Sequence, residues 1–78
     1  MKVEKITGTS SSVKIKTDKI LAVFEGEMLV NGFLASKSAV KVYSEDNQEM
    51  QISSEEKETL IKEAKKFAIK NNYNLEFE

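Results

Sequence analysis

At 78 residues and a formal net charge of −1, the chain is long enough for one small domain, expected over residues 1–78, near the size at which a single core suffices without staples. It contains no Cys and no His, and all 12 of its basic residues are Lys, which excludes disulfides, thiolate zinc sites, thiol nucleophiles, the imidazole proton shuttle and the guanidinium fork. No run approaches the ~18 apolar residues of a membrane helix, and residues 1–6 lack the apolar centre of a signal peptide, so a cytoplasmic protein without membrane contact is expected.

Val3 and Ile6, set among charges, predict a first strand, and Gly8-Thr9-Ser10-Ser11-Ser12 predicts a turn. A phosphate cradle at Gly8 would require a second glycine and a Lys-Ser/Thr opening a helix, and neither follows. Val13-Lys14-Ile15-Lys16-Thr17 alternates with period two, which predicts a half-buried strand ending in a turn at Asp18-Lys19. Ile20-Leu21-Ala22-Val23-Phe24 is apolar throughout and predicts a central strand.

Asn31-Gly32 between β-formers predicts a type I′ hairpin, pairing Val30 with Phe33, Leu29 with Leu34 and Met28 with Ala35. Both faces of such a hairpin tip are apolar. A helix can cover one; the other is left to sheet curvature, a bulge at Gly26 that switches the inward parity, or a partner. The partner strand is expected to extend through Val40 and Val42 to Tyr43, and Ser44-Glu45-Asp46-Asn47-Gln48-Glu49 predicts an exposed acidic loop.

The helix signal is the strongest. Ser53 and Glu56 have capping-box spacing, and Leu60, Ile61, Ala64, Phe67 and Ala68 fall on one helical face, with lysines opposite. Glu58 and Lys62 are placed for an i,i+4 pair. Asn71-Asn72 predicts the stop, and Tyr73, Leu75 and Phe77 alternate along a short final strand. The expected fold class is therefore α+β: a small, mostly antiparallel sheet of about five strands, one C-terminal amphipathic helix on one face, and a short last strand.

No catalytic, cofactor or metal residues are assigned. Glu25 and Glu27 project from one face of a regular strand, but two carboxylates supply neither a glycosidase cleft nor the roughly six oxygens of a hard cation. The serines have no His and no Gly-x-Ser-x-Gly elbow to activate them. Charge is instead segmented: residues 1–19 carry an excess of three Lys and residues 20–53 an excess of three acids.

The run Gly26-Glu27-Met28-Leu29-Val30-Asn31-Gly32-Phe33-Leu34-Ala35 resembles the signature of a family of bacterial polymorphic-toxin immunity proteins, immunity protein family seventy-four. Ser38-Ala39-Val40 and the ending Asn72-Tyr73-Asn74-Leu75-Glu76-Phe77 extend the likeness over about residues 20–78. The chain departs from the family pattern in having Tyr43 and no Pro where Trp and prolines are frequent. The resemblance implies a cytoplasmic inhibitor, not an enzyme, that neutralises a cognate toxin domain by protein–protein interaction. The candidate partner-binding residues are then Glu25, Glu27, Glu45, Asp46 and Glu49, as a negative patch that steers association with a basic toxin, together with Tyr43. Two other classes stand beside this one. Lys14, Lys16 and the helix lysines suit a small nucleic-acid-binding regulator, although a weakly acidic chain argues against that partner. An exposed edge at residues 73–77 suits a homodimeric structural module.

Overall fold

The computed structural model describes all residues 1–78. Six strands and one helix follow in the order β1 (Val3–Gly8), β2 (Ser12–Thr17), β3 (Ile20–Leu29), β4 (Gly32–Ser44), β5 (Glu49–Met50), α1 (Ser54–Lys70) and β6 (Asn74–Phe77). The strands lie side by side as β1-β2-β3-β4-β5, all antiparallel. β6 shares the flank of β4 with β5 and pairs parallel to its first residues, Gly32 to Ala35. The expected α+β arrangement is thus the one observed.

Period-two alternation sorts residues into cross-strand rows. On the inner face one row runs Ile6, Ile15, Ala22, Val42 and Met50, and the next runs Gly8, Val13, Phe24 and Val40. α1 lies against this face. Its Leu60, Ala64 and Ala68 are buried, and Ile61 and Phe67 pack at the margin of the core. The ring of Phe77 meets that of Phe24 edge-on at 5.1 Å. The sheet curls so that β1 approaches the far side: a Cβ placed on Gly8 would stand 2.7 Å from the Tyr73 hydroxyl and 4.0 Å from the Phe33 ring of β4.

Local chemistry fixes the ends of the helix. The Ser53 hydroxyl accepts the Glu56 N–H at 3.1 Å and the Glu56 carboxylate accepts the Ser53 N–H at 3.2 Å, a complete capping box. At the other end Asn72 takes φ 57°, Tyr73 N–H donates to the Ala68 carbonyl at 2.8 Å and Asn72 N–H to that of Ile69 at 3.2 Å. That is a Schellman motif built on asparagine, which tolerates the left-handed region. The expected Glu58–Lys62 pair does not form; the one ion pair is Glu63 with Lys66 at 3.9 Å. Both positions are solvent-exposed helix surface, where such pairs contribute little.

The β3–β4 hairpin departs from expectation. Leu29 pairs with Gly32, Met28 with Phe33, Glu27 with Leu34 and Gly26 with Ala35, so the loop is Val30-Asn31, one residue earlier than predicted. Asn31 takes φ 59° and no glycine has positive φ, so the turn is not type I′, which requires positive φ at both loop residues. The physical reason lies in β6. A Cβ on Gly32 would stand 1.9 Å from the Asn74 carbonyl oxygen, so this glycine is needed for close approach of the parallel strand. The parity switch expected at Gly26 also falls elsewhere. Four residues of β4, 36–39, oppose the single Glu25 of β3 between the Phe24–Val40 and Gly26–Ala35 pairs. β4 therefore bulges and reverses its inward parity while β3 keeps its own.

Candidate protein-docking site

The helix covers the inner face, which leaves the outer face of the sheet as the surface the fold presents. Its residues also follow from the ladders. The row furthest from the hairpin reads Lys5, Lys16, Leu21, Tyr43 and Glu49; the next reads Thr7, Lys14, Val23 and Lys41. Then come Ser12 with Glu25 and, nearest the hairpin loop, Glu27, Leu34 and Glu76. Lysines predominate in the first two rows, with Glu49 at the end of the first, and carboxylates occupy the last two.

The six residues singled out from the sequence are divided by this geometry. Glu25 and Glu27 do share a face and stand together at the hairpin end. Tyr43 and Glu49 are cross-strand neighbours in the far row, and Glu45 and Asp46 form the turn beyond it. At about 3.3 Å per residue along β3, the two groups are roughly 20 Å apart. Lys14 and Lys41 lie between them on the same face. That spacing exceeds the Debye length of ~8 Å at physiological salt, so each group acts as a separate local charge. All five acids are exposed and Tyr43 is half-buried against its row.

One carboxylate at the hairpin end was not legible in the sequence. Glu76 flanks Leu34 on the side opposite Glu27, and accepts from the Asn74 side-chain amide at 3.4 Å. It reaches that place only because β6 returns parallel to β4. Alternation predicts that Glu76 points away from the core but gives no information on what stands beside it.

A shallow groove of about 490 Å³ separates the acidic end from the lysine rows, bordered by Ser12, Val23, Glu25, Lys41 and Tyr43 under the β4 bulge. No group of three or more Asp, Glu, His or Cys is placed to hold a metal ion. The Ser36 and Ser38 hydroxyls are 3.2 Å apart and hydrogen-bond to each other. Tyr73 lies on the inner side over Gly8, and partial burial raises its pKa.

The arrangement is a charge-patterned surface, mainly basic at one end and acidic at the other. A family model described as Immunity protein 74 matches residues 5–78. The chain belongs to the Immunity protein 74 family. No curated protein and no solved structure matched it. The match in the Immunity protein 74 chain takes in every strand but the first residues of β1, and so includes each row of the outer face. Immunity proteins act in general as inhibitors of a toxin protein, which directs attention to the surface. No helix of the chain is long and apolar enough to cross a membrane.

Proposed function

We propose that this chain binds a cognate bacterial toxin domain in the cytoplasm and neutralises it by occupying its working surface. Membership in the Immunity protein 74 family carries this reading. Such inhibition needs no chemistry from the inhibitor, only a rigid complementary surface, and a curled sheet backed by a capped helix supplies one. In this reading Glu25, Glu27, Glu45, Asp46 and Glu49 steer the approach of a basic toxin as two separate acidic groups, and Tyr43 provides an amphipathic contact between Leu21 and Glu49.

The nucleic-acid reading is weakened by the placement of its own residues. Lys14 and Lys16 lie on the outer face, whereas Lys62, Lys65, Lys66 and Lys70 are exposed on a helix that packs against the inner face. No single strand of nucleic acid tracks both along one groove. Titration calorimetry with the toxin domain encoded in the neighbouring gene tests the proposal: a one-to-one complex with sub-micromolar Kd is expected. Absence of a complex at micromolar concentration would sink it. Reversing the five acids should slow association at low salt, and association unchanged by that reversal would exclude the steering role while leaving the complex itself.

A further inference from the structure

The β3–β4 hairpin tip exposes apolar side chains that folding does not require. Val30 is 91 % exposed and Met28 55 %. Leu29 and Leu34 beside them are only half-buried. Turn chemistry favours Gly, Asn, Asp, Pro or Ser in a two-residue loop, and Asn31 already provides the positive φ, so nothing in the turn calls for a β-branched residue at Val30. Exposed apolar side chains gathered on one projection mark interaction sites.

The tip is also held still. Asn74 N–H donates to the Asn31 carbonyl at 2.8 Å, which ties the loop to β6, and Gly32 lies flush against the same residue. A preorganised projection loses little conformational freedom on binding. The two sides of the tip differ: Met28, paired with Phe33, lies on the inner side, while Glu27 and Glu76 flank Leu34 on the outer side, with Glu25 one row further from the loop. Apolar side chains bordered on one side by carboxylates suit a protein interface, and the sign of that border selects its occupant. A second copy of the chain meeting this end symmetrically would set like carboxylates against each other, and nucleic acid would be repelled.

We infer that the β3–β4 hairpin tip is the docking element, with Val30 and Met28 entering an apolar socket on the toxin domain that is bordered by cationic groups on the side facing Glu27 and Glu76. This rests on the immunity reading and names the contact within it. Glu45, Asp46 and Glu49, at the far end of the sheet, lie outside that contact.

Surface plasmon resonance of the full chain against the toxin domain from the neighbouring gene tests the assignment. The variants are Met28→Ser with Val30→Ser, Glu27→Lys with Glu76→Lys, and Glu45→Lys with Asp46→Lys; all substituted side chains are exposed, and circular dichroism checks each fold. The serine pair is expected to raise koff at least about 30-fold, the size of a hot-spot loss. The Glu27/Glu76 reversal should raise koff as well, and the Glu45/Asp46 reversal should leave koff within about threefold, since rim charges outside a contact act on association. A wild-type complex whose koff ignores the serine pair overturns the hairpin assignment alone. Failure of the wild-type chain to bind overturns the immunity reading and this inference with it. Concentration-dependent dimerisation in light scattering that the serine pair abolishes would reassign the tip to self-association.

Discussion

Replacing Gly32 by Ala tests the placement of the hairpin and the return of β6 in one experiment. A Cβ at this position stands 1.9 Å from the Asn74 carbonyl oxygen and 2.8 Å from the Asn74 Cβ, roughly 1.5 Å short of ordinary van der Waals separation at the closer contact. The obstruction is backbone, so relief requires β6 to withdraw. The first casualty is the hydrogen bond from Asn74 N–H to the Asn31 carbonyl, 2.8 Å long, with a net contribution of about 1 kcal/mol. Leu75, only 5 % exposed, then loses part of a burial that stabilises by about 1.5–3 kcal/mol when complete. A total loss of about 2–4 kcal/mol follows. At about 4–8 °C per kcal/mol for a domain of this size, Tm should fall by at least about 8 °C. Urea unfolding gives the free energy, and amide exchange locates it: the N–H groups of Asn74 and Glu78 should lose protection before those of β2 and β3. Gly32→Asn sharpens the test. In a type I′ turn Asn would be accepted nearly as well as Gly, whereas against the Asn74 carbonyl it is as obstructed as Ala. A Gly32→Asn variant as stable as the parent, or a Gly32→Ala variant that loses under about 1 kcal/mol with β6 still protected, would refute the close-approach account.

The β2–β3 turn depends on Thr17, 3 % exposed, whose hydroxyl donates to the Ile20 carbonyl at 3.1 Å and accepts the N–H groups of Lys19 and Ile20 at 3.1 and 2.9 Å. Thr17→Val keeps the shape but removes all three bonds, and should cost about 1–3 kcal/mol in urea unfolding, while Thr17→Ser should recover most of it. Stability should also respond to pH at both extremes. Burial raises the Tyr73 pKa above the ordinary tyrosine value, so its contribution is complete below the unfolded value and lost as pH rises through the folded one; Tyr73→Phe should abolish that alkaline loss in thermal melts. The Asp18 carboxylate is held below its ordinary pKa, first by the Lys2 N–H it accepts at 3.0 Å. That tie is intact above the unfolded carboxylate value and is lost as pH falls through the depressed one, so the Lys2 amide resonance should titrate with it while Asp18→Asn should not.

Period-two alternation, apolar runs, the Asn-Gly turn signal, the capping box and the helical apolar face determined every strand but the short β5, the helix and the buried set Leu60, Ala64 and Ala68, because each is written in side chains that are neighbours along the chain. The same alternation placed Glu25 and Glu27 on one face. What it did not contain is which strand lies beside which. The parallel return of β6 moved the loop from Asn31-Gly32 to Val30-Asn31, since a glycine was needed more for the approach of Asn74 than for positive φ. The unequal bulge at residues 36–39 put the parity switch in β4 instead of at Gly26. Pairing across strands then set the two sequence clusters of acids, Glu25 with Glu27 and Glu45 with Asp46 and Glu49, some 20 Å apart, and brought Glu76, distant in sequence, beside Glu27 and Leu34. Local preferences act through residues a few positions apart, whereas the charge pattern of a sheet face depends on ladders between distant segments, and only the assembled structure decides those.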